Sequence, residues 1–364
     1  MRLRQLSEGA SRCQLCSASA PPSGEGGILY PVELELCLVG RPWEEARGGS
    51  ELKDLGLASS GLGRMWSWLV QQLLGYPREP GDAEESIPNT TGVQVGSEER
   101  HDKTISYGYT LLRGKRSTME DYHSAKFEDV PGIPESVGMF GVFDGHGGPD
   151  AAMYIKQHLF KNLTNHKDFT TDTEKATNEV YVNTDDSYLE DPKSRRDDGG
   201  AGSTAVTAVV IGRRLTMANV GDSRAVLCRQ GKAIQVSVDH KPNEPHEKQR
   251  IEDNGGMVVW AGTWRVGGVL AVSRAFGDRP LKKYVKADPY MRSEDLTKDD
   301  EFLVLASDGL WDVVSNEEAV SISREAFNQR LPIQKVSERL AETAMNRGSN
   351  DNITCLLVRF NFKD

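Results

Sequence analysis

A chain of 364 residues with 37% hydrophobic and 27% charged side chains has the make-up of a globular protein, with room for one large domain or two ordinary ones. Its formal net charge of −10 argues against a nucleic-acid surface as the main partner. No apolar run reaches the roughly eighteen residues a membrane span needs.

The opening MRLRQLSEGASRC carries basic residues but no continuous apolar stretch, so a secretory signal is not expected. Five scattered cysteines do not form a disulfide framework, and they point to a reducing compartment, cytoplasm or nucleus. Cys13 and Cys16 form a single CxxC with no second pair to complete a zinc site. No cysteine has an arginine six positions on, so the loop of cysteine-dependent phosphatases is absent.

Residues 1–100 read as a poorly packed extension. Pro21–Gly27 and Pro80–Glu99 are rich in turn formers and acids. Between them Trp66, Leu69, Val70, Leu73 and Leu74 fall on one face of a short helix near 65–74, expected to dock on the domain. A start at Met65 would give a chain of 300 residues.

Residues 101–364 read as one domain. Ile105–Leu112 and the apolar run Val137–Phe143 are predicted strands, and Pro149–Leu163 a helix with proline at its first position. Phe169–Glu190 is a more polar helix, followed by a charged, glycine-rich loop over Arg195–Gly202. Short strands follow at Ser203–Ile211, Arg214–Asn219, Ala225–Cys228 and Ala233–Ser237. Residues 244–254 read as helix and 255–290 as an irregular lobe, with a flap region over about 240–292. Phe302–Ala306 is another buried strand. Ser315 and Glu318 form a capping box that opens a helix to Gln329. Pro332–Arg347 is the last helix and Ile353–Phe360 the last strand. Strand clusters separated by paired helices point to an α+β sandwich.

Three carboxylates share one local setting. Asp144 follows the apolar run ending at Phe143, Asp308 follows FLVLAS, and Asp351 sits in the turn RGSNDN. Carboxylates at strand ends and tight turns can meet in one cleft, which suits hard divalent cations with oxygen ligands. Glycine beside the aspartate lets a backbone carbonyl approach as well. Each motif alone is most often a turn, and the set in one acidic domain is harder to dismiss.

In order, RSTMED (116–121), FDGHGG (143–148), GSTA (202–205), NVGDSRA (219–225), DHKP (239–242), LAVSRAFGD (270–278), ASDGLWD (306–312) and SNDN (349–352) resemble the signature of the metal-dependent type 2C serine/threonine protein phosphatases, plant members in particular. The resemblance spans about residues 104–361. It implies a four-layer α-β-β-α sandwich of two mainly antiparallel sheets flanked by helices, with a small irregular flap lobe.

It also implies two Mn²⁺ or Mg²⁺ ions and attack on phosphoserine or phosphothreonine by a metal-bridging water or hydroxide. Asp144 would bridge the ions, with Asp308 and Asp351 completing the first and the Gly145 carbonyl binding the second. Glu120 would hold second-ion waters and Asp121 would support the cluster. Asp222 and Asp312 match positions of a weaker third ion in some members. Arg116 matches the phosphate clamp and His146 the general acid.

Ser273, Arg274 and Asp278 are expected to order the lobe, and Trp260 and Trp264 to anchor packing. The partners implied are phosphoproteins acted on by a monomer. Trp260 precedes Arg265 by five positions, where plant members that pair with hormone receptors have four, which argues against abscisic-acid receptor docking. Gly221–Ala225 lacks the final glycine of a serine-hydrolase elbow. The GDxxDRG and GNH elements of the other metallophosphatases are also missing. The competing class is a phosphatase-like regulatory protein without turnover.

Overall fold

The computed structural model describes residues 92–195 and 200–363. The readings at Cys13, Cys16, Pro21–Gly27, Met65 and the helix near 65–74 lie outside the described residues, as does the middle of the 195–202 loop.

One sheet takes the order β1 (Val93–Glu99), β2 (Ile105–Leu112), β15 (Ile353–Phe360), β14 (Asp300–Ala306), β8 (Arg224–Arg229), β9 (Lys232–Gln235). The other takes the order β12 (Phe276–Gly277), β5 (Gly202–Ser203), β4 (Val137–His146), β6 (Ala205–Ile211), β7 (Arg214–Val220), β13 (Tyr290–Asp295). β3 (Asp121–Glu128) also pairs with β4. Neighbours in both sheets run antiparallel.

The apolar runs are continuous because the central strands are covered on both faces. On β4, Phe140 and Val142 meet Leu303, Leu305, Leu356 and Val358 of the facing sheet. Met139 and Phe143, pointing the other way, pack under Ile155 and Leu159 of α1 (Asp150–Thr164) and Val180 of α2 (Thr173–Glu190). Beyond the first sheet, after the short helix α4 (Asp308–Trp311), Val304 and Leu357 lie under Val320 of α5 (Asn316–Asn328) and Leu340 of α6 (Ile333–Asn346). The result is the α-β-β-α sandwich that the resemblance implied. Ser315 and Glu318 cap α5 reciprocally, so the capping box is real.

Three strands escaped the sequence pattern. Val93–Glu99 read as linker, yet it pairs with β2 as a largely exposed edge, where nothing demands apolar alternation. Asp121–Glu128 is half-buried along nearly its whole length, and Tyr290–Asp295 is likewise half-buried, so neither shows an apolar run.

The 255–290 segment is more ordered than read. It holds the hairpin β10 (Val258–Trp260) and β11 (Trp264–Val266). It also has its own apolar cluster of Ile251, Val266, Leu270, Val272, Ala275 and Val285, partly supplied by α3 (Pro245–Asp253). Trp264 is half-buried there. Trp260 is 63% exposed and meets Trp264 edge-on, so it does not anchor packing. No helix among the described residues is long and apolar enough to cross a membrane.

Phe140 joins the two sheets, so Phe140→Ala should lower unfolding free energy by about 3–5 kcal/mol. Urea unfolding checks this, and a loss below about 1 kcal/mol would contradict the packing described.

Candidate metal centre at one end of the sandwich

Register explains why residues more than two hundred positions apart can meet. β14 and β15 pair so that Ala306 faces Cys355. The chain leaving β14 therefore lies beside the chain entering β15, which puts Asp308 and Asp351 at the same end. Ala306 also faces Arg224, so Asp222, two residues before, reaches that end too. In the other sheet Asp121 opens β3 directly across from Asp144 on β4.

Carboxylate oxygens of Asp144, Asp222 and Asp308 all lie within 4.8 Å of one another. The Oδ1 atom of Asp308 is buried and has no hydrogen-bond partner. Burial, reinforced by Asp121, Asp308, Asp222 and Asp351, pushes the Asp144 carboxyl well above the usual carboxylate range. Burial and the neighbours Asp222, Asp312 and Asp351 do the same to Asp308. Asp312, beside the cluster, is also pushed up, by partial burial of its carboxyl and by Asp222 and Asp351 against the pull of Lys241.

Asp121 is buried beneath these groups. The hydroxyls of Ser307 and Thr354 donate to its Oδ2 at 2.8 and 2.7 Å. Burial still raises it to about 6. It anchors the two sheets to each other at the floor of the site.

The loop bearing Arg116 and Glu120 is held by Asn352. The Asn352 Nδ2 donates to the carbonyls of Arg113 and Thr118 at 2.7 and 3.0 Å, and Oδ1 accepts from the Glu120 N–H at 2.8 Å. Glu120 accepts from the Thr118 hydroxyl at 2.8 Å and from the Gly148 N–H at 3.1 Å. Gly145 donates its N–H to the Glu120 carbonyl at 3.2 Å, and a Cβ on it would sit 2.5 Å from that oxygen. Only glycine permits this approach.

Two cations reach the rim. Arg116, with a 59% exposed side chain, donates to Asp351 Oδ2 at 2.6 Å. Lys241 pairs with Asp222. Lys241 is delivered by the turn in which Asp239 accepts two bonds from Arg224, at 3.1 and 2.6 Å. Burial works against the Lys241 charge, and Asp222 outweighs it, holding the ammonium above its ordinary pKa.

His146, at the end of β4, accepts no role in the carboxylate cluster and turns to Asp278. Its Nε2 lies 3.0 and 2.9 Å from the two Asp278 oxygens. Burial opposes a charged ring, yet Asp278, with Asp222 and Glu120 behind it, raises the imidazole above its ordinary pKa.

The ten residues singled out in the sequence thus lie at one end of the sandwich, with different engagements. Asp144, Asp222 and Asp308 form the tight group, Asp351 is taken by Arg116, and Glu120 and Asp121 support from below. The turn residue Asp222 is more central than its motif suggested. Sequence reasoning missed Lys241 and Asn352, although both stand inside the quoted stretches DHKP and SNDN. It also misplaced Asp278. Ser273 and Arg274 do order the lobe, both donating to Glu247, whereas Asp278 reaches His146. Ser223, the nucleophile of the serine-hydrolase reading, is buried against the Thr204 hydroxyl at 2.7 Å. A second group, His166, Asp168 and Glu179, also clusters, but Lys175 already donates to Asp168 at 2.7 Å.

Buried carboxylates crowded around an unpartnered oxygen fit a divalent cation, since oxygen ligands with opposite charge are what such an ion requires.

The family model for protein phosphatase 2C matches residues 105–353. Probable protein phosphatase 2C 59 of Arabidopsis thaliana is 52% identical over 287 residues, covering 79% of this chain and 90% of that protein. The rice protein of the same name is 51% identical over 291 residues, covering 79% and 86%. Among solved structures, the serine-threonine phosphatase 2C of Toxoplasma gondii superposes with a TM-score of 0.66 at 27% identity, covering 74% of this chain and 99% of that one.

Removing one crowded charge should relieve the site. In EDTA, Asp308→Asn should melt higher than the parent, by about 2–4 °C for each kcal/mol of repulsion relieved. Added Mn²⁺ should raise the parent's midpoint and leave the variant's nearly unchanged. A variant that melts lower than the parent in EDTA would contradict this reading of the cluster.

Proposed function

Because the chain belongs to the protein phosphatase 2C family, we propose that it hydrolyses phosphoserine and phosphothreonine esters of protein substrates with two divalent cations, Mn²⁺ or Mg²⁺, held at the sandwich end. The observation that carries this is the meeting of Asp144, Asp222 and Asp308 within 4.8 Å, with Asp308 Oδ1 buried and unpartnered.

Asp144 would contact both ions, Asp308 and Asp351 the first, and the Gly145 carbonyl the second. Glu120 would orient waters, and Asp222 with Asp312 would offer a weaker third position. Bound there, the ions supply Lewis-acid neutralisation of the phosphate oxygens and an ionised water near neutral pH.

The remaining work falls to the protein. Asp121, held by Ser307 and Thr354, keeps the two sheets from spreading under the repulsion above it. Asn352 keeps the Arg116 loop against the cluster. Arg116 is a guanidinium at the mouth, on an exposed side chain, and its planar fork can exchange Asp351 for two phosphate oxygens. Asp278 favours the charged form of the His146 ring, which can give a proton to the departing seryl or threonyl oxygen. Nothing in this scheme needs a covalent phosphoenzyme, which agrees with the burial of Ser223.

Purified protein should release phosphate from a phosphothreonine peptide in millimolar Mn²⁺ and not in EDTA. Asp144→Asn should reduce that rate by about three orders of magnitude or more. His146→Gln should slow alkyl phosphates by about 100-fold and spare activated aryl phosphates. No Mn²⁺-dependent release would establish the regulatory, non-catalytic alternative.

A further inference from the structure

Within the flap lobe the chain passes through β12, and this segment lies next to His146 by backbone pairing. Phe276 and Gly277 pair with Ser203 and Gly202 of β5, which pair in turn with Gly145 and His146. Asp278 is the next residue. Its N–H donates to the Ala201 carbonyl at 3.1 Å.

Asp278 has φ +50°, in the left-handed region that costs free energy for any residue with a Cβ. Glycine would occupy that position without strain. What aspartate adds is its carboxylate, and that group is 5% exposed with both oxygens on His146 Nε2 at 3.0 and 2.9 Å.

An ordinary capping role does not account for it. The 3₁₀ turn at Arg279–Leu281 receives no side-chain cap, and the Leu281 N–H goes to the Asp278 backbone carbonyl at 2.8 Å. Nor does the carboxylate belong to the tight group of Asp144, Asp222 and Asp308. Gly202 leaves the room the pair needs, because a Cβ there would run into Asp278 Oδ2 and His146 Nε2.

The surroundings hold Asp278 in place. The Gly277 N–H and the Lys282 ammonium both donate to Asp185 of α2 at 2.7 Å, and Arg279 donates to the Ser194 hydroxyl at 3.0 Å.

The geometry points to Asp278 as the positioning residue of His146. Its carboxylate takes the Nε2 hydrogen, sets the ring plane and leaves Nδ1, which makes no hydrogen bond among the described residues, as the nitrogen for the departing oxygen. The inference rests on the reading of His146 as proton donor. In that step a hydroxide, formed from water that has lost its proton to solvent, bonds through oxygen to phosphorus, and the P–O ester bond breaks with its electron pair on the seryl oxygen. That oxygen takes the Nδ1 proton, while the Nε2–H stays on the ring, hydrogen-bonded to Asp278, and Nδ1 is reprotonated from solvent. Asp278 also links the flap lobe to the chemistry, since the residue that aims the ring lies in the lobe's own chain.

The test compares Asp278→Asn, Asp278→Gly and His146→Gln, singly and as Asp278→Asn with His146→Gln, in Mn²⁺. The substrates are a phosphoserine peptide and 4-nitrophenyl phosphate. Asparagine tolerates the left-handed region and glycine prefers it, so at least one Asp278 variant should fold, which circular dichroism checks. Each should lower kcat on the peptide by about 10–100-fold. Each should change 4-nitrophenyl phosphate turnover by less than about threefold, with KM nearly constant. Added to His146→Gln, Asp278→Asn should cost less than about twofold more.

Equal losses on both substrates, or a full further loss in the double variant, would overturn the inference about Asp278 while leaving His146 intact. If His146→Gln alone hits both substrates equally, the proton-donor reading falls and this inference with it. In ¹⁵N-histidine spectra of the Mg²⁺-bound protein at a pH high enough to neutralise the ring, Nε2 of His146 should carry the hydrogen in the parent and lose that preference in Asp278→Gly. An unchanged tautomer would also overturn it.

Discussion

Like charges brought together out of water repel, and they stay together only if the scaffold is stiff and an opposite charge is supplied. That constraint governs this molecule. Asp144, Asp308 and their neighbours raise one another's pKa at one end of the sandwich, above a buried Asp121 that is itself shifted to about 6. The protein's own cations answer only part of the demand. Arg116 takes Asp351 and Lys241 takes Asp222, both at the rim, while Asp308 Oδ1 stays without a partner inside. The unbalanced remainder is what a pair of divalent ions would satisfy.

The stiffness comes from sheets buried on both faces. Phe140 and Val142 lock β4 to the facing sheet, and Met139 and Phe143 lock it to the helices, so its last residues are held at a defined height. Hydrogen bonds from Ser307 and Thr354 to Asp121 then tie the ends of β14 and β15 to the start of β3. The site therefore does not depend on any flexible loop for its floor. Its rim is different. The Arg116 loop is fastened by polar contacts through Asn352, and the flap lobe by Asp185 and by the pairing of β12 with β5.

How much of this was legible follows from what each feature needs. Val137–Phe143, Phe302–Ala306 and Ile353–Phe360 could be read because burial on two faces demands unbroken apolar sequence. β1, β3 and β13 could not, since an exposed edge or a half-buried strand leaves polar residues free to appear. The carboxylates could be found because each stands beside glycine or at a strand end, and their order along the chain carried a family resemblance. Their partners could not. Asn352 on the Arg113 and Thr118 carbonyls and Asp278 on His146 join segments far apart in sequence, the last pair by 132 positions, and Lys241 reaches Asp222 across a turn of 19 positions. Local spacing holds no trace of such contacts. Trp260 shows the opposite error, because a large aromatic in an apolar segment reads as core and here lies exposed.

The proposed hydrolysis requires two divalent ions seated among these carboxylates. Anomalous diffraction from Mn²⁺-containing crystals measures that directly. Manganese peaks within about 2.5 Å of carboxylate oxygens of Asp144 and Asp308, one of them also near the Gly145 carbonyl, are the expected result. A fully occupied crystal with no manganese touching Asp144 would contradict it.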